Sequence, residues 1–123
     1  MENLSISDIK PFIGSKDYAM SKKFYSALGF KTEYESEQVS VLEQCGCRFF
    51  LQNYYDKSWC DNSMLHIIVN NAQAWYEKVQ SVLEQGEFGT AKVAPPKQQD
   101  YGAIVTFVWD PTGVLLHLAQ TSE

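Results

Sequence analysis

The chain holds two histidines, His66 and His117, and each stands inside an apolar run: Leu65-His-Ile-Ile-Val69 and Val114-Leu-Leu-His-Leu-Ala119. An imidazole accepts or donates a hydrogen bond, titrates near neutral pH and ligates transition metals, so these two residues come first. Their plainer use is as pocket walls satisfied by hydrogen bonds or water. Lys10 and Arg48 add cationic groups, and Phe12, Phe50, Phe107 and Trp109 supply flat apolar faces. Aromatic walls with a few polar anchors describe a cleft for a planar or anionic small molecule. Core packing and a subunit interface are the competing uses of such rings. Cys45-Gly-Cys47 sets two thiols close together, but one intervening residue is tighter than ordinary zinc spacing, and a reduced, incidental pair is the simpler reading. The sequence has no glycine-rich phosphate loop, no Ser-His-Asp order and no paired-carboxylate motif.

The elements that must position these residues follow from periodicity. Asp110-Pro-Thr-Gly113 is a turn: Asp accepts backbone hydrogen bonds, Pro presets φ, and Gly tolerates positive φ. The apolar runs Ala103–Trp109 and Val114–Ala119 around it make a hairpin. Alternation on the second run puts Val114, Leu116 and Leu118 on one face and Leu115, His117 and Ala119 on the other. Earlier, Ile9–Ser15 reads as a short strand weakened by Pro11, with Lys10, Phe12 and Gly14 on one face. Asp17 caps a helix carrying Met20, Phe24 and Leu28, which Gly29 closes. Strands follow at Phe30–Glu35, near Val39–Glu43 and at Cys47–Gln52, the last placing Arg48, Phe50 and Gln52 on one face. Asn53–Ser63 reads as an irregular linker carrying Tyr54, Tyr55 and Trp59. The same grammar then repeats: strand Leu65–Val69, a cap at Asn70 and Asn71, and a helix from Ala72 through Leu83 that ends at Gly86. Lys92–Gln99, with Pro95-Pro96, is expected to be an irregular loop, and Met1–Ser7 a frayed end or an arm onto a partner subunit. Two βαβββ modules result, about 8–53 and about 64–121, joined by a linker at about 54–63 within one domain spanning 1–123. Each sheet buries its apolar face under its helix, which turns His66 and His117 to the opposite, concave face.

Composition narrows the function classes. With 123 residues and a net charge of −5, the chain has no basic stripe for nucleic acid, and we expect none as a partner. It shows no basic-then-apolar leader and no long uncharged apolar run, so neither membrane insertion nor export is expected. Three cysteines, an odd number, suit a reduced cytoplasmic compartment.

The segment Ser15-Lys-Asp17 followed by Ser21-Lys-Lys-Phe-Tyr-Ser-Ala-Leu-Gly-Phe30 resembles the "D…FY…LGF" signature of the vicinal oxygen chelate superfamily, which includes glyoxalases, extradiol dioxygenases and bleomycin resistance proteins. Leu65-His66 with Trp75-Tyr76, and Asp110-Pro-Thr-Gly113 with His117, resemble the second half of that pattern. The resemblance runs from about Ile9 to Gln120, and FYSALGFKTEYESEQVSVL is most similar to the bleomycin-resistance-type branch. It implies an α+β fold in which two tandem βαβββ modules form a half-barrel cup. It also implies a homodimer whose clefts draw on both chains. Its metal slots fall on Lys10, Phe50, His66 and His117. Only the two histidines there can ligate Zn, Ni, Fe or Mn, and a third ligand would have to come from Glu35, Glu43 or a swapped strand.

Three functions follow as expectations. The first is a metal-free protein that sequesters a planar or anionic compound, with Lys10, Arg48, His66 and His117 as polar anchors and Phe12, Phe50, Phe107 and Trp109 as walls. On this reading no cofactor is needed. The second is a divalent-metal enzyme of glyoxalase or dioxygenase type, with His66 and His117 polarising a bidentate oxygen substrate. The third is a protein-interaction module with a vestigial cup.

Overall fold

The computed structural model describes residues 4–121. Its first half runs β1 (Phe12–Gly14), α1 (Tyr18–Ala27), β2 (Lys31–Glu35), β3 (Val39–Gln44) and β4 (Cys47–Gln52). After α2 (Lys57–Asp61), the second half runs β5 (Met64–Ile68), α3 (Ala72–Gln85), β6 (Lys92–Val93), β7 (Lys97–Gln98), β8 (Ile104–Trp109) and β9 (Leu115–Gln120). The first sheet has the order β1-β4-β3-β2 and the second β5-β9-β8-β6, with β7 also on β8. In both, the first strand lies parallel to the last and the remaining pairs are antiparallel. The fold is α+β, built from two halves of one topology.

Local chemistry accounts for the elements. The Asp17 carboxylate accepts the Met20 N–H at 3.0 Å and starts α1, while Gly29, at φ 110°, leaves that helix through a conformation that glycine adopts freely. Asn71 starts α3 in the same manner by accepting from Ala74 N at 2.9 Å. Two segments differ from the expectation. The linker contains α2, capped by Asp56 through Trp59 N at 3.0 Å, and it buries Cys60. The stretch around Pro95-Pro96 is not wholly irregular: two-residue strands form on either side of the prolines, both on β8. Proline lacks an N–H and so suits this outer edge, and the Ala94 carbonyl is satisfied sideways by the Thr106 hydroxyl at 2.6 Å.

One core serves both halves. Ile13, Phe24, Tyr25, Leu42, Phe49 and Leu51 pack in the same cluster as Val79, Val108, Val114, Leu116 and Leu118. Inside it, the Tyr25 hydroxyl donates to Asp110 Oδ2 at 2.7 Å, and Asp110 Oδ1 accepts from the amides of Thr112, Gly113 and Val114 at 2.8–3.0 Å. The aspartate of the β8–β9 turn thus clips the first helix to the second sheet. Burial raises the Asp110 carboxyl above its ordinary range against these hydrogen bonds, and burial together with Asp110 raises the Tyr25 phenol.

Candidate functional site

Strand alternation that buries Leu116 and Leu118 turns His117 to the other face of the second sheet, where ladder register supplies its neighbours. His66 is its partner on β5 and Phe107 its partner on β8. The imidazoles lie 5.9 Å apart between ring centroids, and Phe107 meets His117 edge-on at 5.0 Å. The neighbouring rung of the ladder carries Met64, Leu115 and Trp109. Trp109 lies 6.4 Å from Phe107 and beneath the Lys92 ammonium at 4.8 Å. Ala103, Val105 and Ala119 form a small buried cluster against Phe107 on the same side.

His117 is the one residue among those described with a buried side-chain polar atom lacking any hydrogen-bond partner, its Nε2. Burial first, and the neighbouring His66 second, hold its pKa below the ordinary histidine value. The ring is therefore neutral at physiological pH, with an orphaned nitrogen in an aromatic setting.

The first sheet carries the matching rung. Phe12 faces Phe50 in the β1–β4 register, and their rings stack at 4.3 Å with planes 12° apart. Val41 and then Tyr34 continue the row. Since β1 pairs with β4 as β5 pairs with β9, Phe12–Phe50 is the counterpart of His66–His117. Lys10 precedes β1, and the β1 residue opposite Phe50 is Phe12.

The cationic groups of Lys10 and Arg48 both have carboxylate partners. The Lys10 ammonium lies 3.3 Å from Asp8 Oδ2. Arg48 donates to both carboxylate oxygens of Glu33, Nε at 2.8 Å and Nη2 at 3.0 Å. A register shift between Thr32 and Tyr34 bulges β2 at Glu33 and brings its carboxylate to Arg48. That fork lowers the Glu33 carboxyl and raises the Arg48 guanidinium. Both cations are matched.

A divalent metal of the kind the resemblance implies finds a poor donor set. His66 and His117 give two nitrogens, while Phe12 and Phe50 have no ligating atom. Glu35 is ion-paired with Lys22, and Glu43 accepts the Gly46 amide at the tip of the first sheet. Among the described residues, no group of three or more His, Cys, Asp or Glu is gathered where it could hold a metal ion. The residues do not fit a complete site.

The structure therefore gathers His66, His117, Phe107 and Trp109 on one sheet and Phe12, Phe50 and Arg48 on the other, with Lys10 just ahead of β1. Leu115 lies in the same row, on the face that alternation gave it; Met64, Val41 and Tyr34 went unmarked in the sequence, although alternation from His66 leads to Met64, while Val41 and Tyr34 follow only from cross-strand register. Both faces are open: Phe12 is 50% exposed, Met64 58% and Ile68 68%. Of the described residues, no helix is long and apolar enough to cross a membrane.

Topology and paired rungs define the class as the glyoxalase/bleomycin-resistance fold. Among solved structures, the chain is similar to a bleomycin resistance determinant encoded on the transposon Tn5, with TM-score 0.81, 20% identity, and coverage of 96% of this chain and 100% of that one. It is also similar to a bleomycin-binding protein from bleomycin-producing Streptomyces verticillus complexed with copper(II)-bleomycin, with TM-score 0.81 and 17% identity over 98% of this chain and 100% of that one. An antibiotic-binding protein from Streptomyces sp. CB03234 aligns at TM-score 0.76 and 16% identity, over 98% and 100% of the two chains. No family model and no curated protein sequence matches the chain.

Proposed function

We propose that this protein binds and sequesters a planar, largely apolar small molecule without metal, in clefts walled by the two ring-bearing sheet faces. The observation that carries this reading is the repeated rung: two aromatic side chains in register at the same place in each half, Phe12–Phe50 and His66–His117, with Phe107 and Trp109 alongside. Flat rings on rigid strands suit stacking against a flat ligand at low entropic cost. The internal pairing of Lys10 and Arg48 favours a planar ligand over a strongly anionic one. The solved structures whose names refer to bleomycin or antibiotic binding support the same class. On this reading the working unit is a homodimer in which a second copy covers the open faces, and three free cysteines fit a reduced cytoplasmic setting.

A thermal-shift screen of planar heteroaromatics and glycopeptide antibiotics tests the proposal. A ligand present at one hundred times its Kd adds about 2.7 kcal/mol to stability. Phe50→Ala and Trp109→Ala should abolish the shift while the chain stays folded. If no planar compound stabilises the chain, the reading fails.

A second reading has one observation in its favour, the partnerless Nε2 of His117 beside His66. It makes the pair two ligands of a divalent metal in a glyoxalase- or dioxygenase-like enzyme. Stoichiometric Zn, Ni, Fe or Mn in protein purified without an affinity tag, lost in the His66→Ala, His117→Ala double variant, would establish it over the metal-free reading.

A further inference from the structure

The β3–β4 hairpin tip holds a feature that the ligand faces do not use. Gln44 pairs with Cys47, so Cys45 and Gly46 alone make the turn, with φ of 53° and 84°. Two-residue hairpin loops with positive φ at both positions take Asn, Asp or Gly at the first of them, because other side chains are strained there. Cys45 is the one non-glycine residue with positive φ among those described. Its thiol and that of Cys47 are both exposed, and neither is in a disulfide. The turn is held from two sides: the Gly46 N–H donates to Glu43 Oε2 at 2.9 Å, and Arg48 Nη1 donates to the Gly46 carbonyl at 3.1 Å. Arg48 is itself locked by the fork to Glu33. A rigid turn, braced by Glu43 and Arg48 through the Gly46 backbone, thus displays two thiols one residue apart.

We propose that this tip chelates a soft, low-coordinate metal ion of the Cu(I) or Hg(II) kind through the thiolates of Cys45 and Cys47. Thiolates select soft ions, and two ligands satisfy ions that accept two-coordination. Zinc needs four ligands, and the described residues gather no third His, Cys, Asp or Glu here. Each ion bound replaces two thiol protons, which pass to solvent. The site is independent of the proposed ligand faces.

The test is an anaerobic titration of the full chain with Cu(I) against a chromophoric competing chelator, with proton release followed in weak buffer. One ion per chain and two protons per ion are expected. Cys45→Asn, which suits the turn and keeps the fold, and Cys47→Ser should each lose an order of magnitude or more in affinity with an unchanged melting temperature. Undiminished binding in a Cys45→Ser, Cys47→Ser double variant would place the ion at Cys60 or the histidines and overturn the proposal. One ion per two chains would overturn it as well, since it would mean a bridge between copies.

Discussion

At the scale of single residues, two buried groups carry opposite electrostatic burdens. The Asp110 carboxylate has four protein donors, which offset part of the cost of its burial. Tyr25→Phe removes the hydroxyl and leaves Oδ2 facing an apolar core. The expected loss is about 1–3 kcal/mol, the usual cost of orphaning a buried acceptor, measured by urea unfolding. Asp110→Asn should cost less, since its amide oxygen still accepts the turn amides and its NH₂ can donate to the Tyr25 oxygen. His117 is the reverse case, with a nitrogen that nothing satisfies. Its folded pKa lies below the unfolded value, so the unfolded chain binds the proton more readily. Its contribution to stability is therefore present above the ordinary histidine pKa of about 6.5 and is lost as pH falls through the lower, folded value. His117→Leu removes that titration. The variant should gain on the wild type as pH falls below the ordinary histidine value of about 6.5 in paired unfolding curves. An identical acid-side decline in both proteins would mean that another group drives it.

Among the elements, α2 is the piece that the sequence concealed. Asn53–Ser63 shows no apolar periodicity, and a five-residue helix is too short to generate one. Its docking depends on Gly14 of β1, where an added Cβ would stand 2.6 Å from the Tyr54 carbonyl oxygen, 2.7 Å from the Trp59 ring and 2.9 Å from Cys60 Sγ. Gly14→Ala should push α2 off the strand and cost about 1–3 kcal/mol, as overpacking does. Faster proteolysis within 53–63 would report the displacement, and an unchanged cleavage rate would count against it. The strands that bear the rings were legible because alternation survives in them: Phe49 and Leu51 bury while Arg48, Phe50 and Gln52 do not. Where β1 begins was not legible, because alternation fixes a face and says nothing of where pairing starts, and the strand opens at Phe12, just after Pro11. The charge balance was hidden for a related reason. Glu33 reaches Arg48 through a bulge, and bulges leave no mark in a period-two pattern.

For the molecule as a whole, the unusual property is how much apolar surface lies open in one chain. Leu4, Ile6 and Ile9 of the segment before β1 are 89%, 79% and 77% exposed, and Phe12, Met64 and Ile68 of the edge strands β1 and β5 add to them. Large apolar side chains left exposed in such number are candidates for association. The edge strands also leave backbone N–H and C=O groups on their outer sides, which another strand can pair. We expect a second copy to cover these faces, so that the chain sediments as a dimer at micromolar concentration. Ile68→Asp places a carboxylate at the exposed end of the β5 face and should convert the dimer to a folded monomer. Because the second copy would wall the proposed cleft, the same substitution should weaken ligand binding along with association, while Tyr101→Asp, a charge at an exposed aromatic residue off the ring rows, should change neither. Loss of the dimer with ligand affinity intact would mean that each chain holds its ligand alone. Wild-type protein that sediments as a monomer would remove the second copy from the cleft altogether.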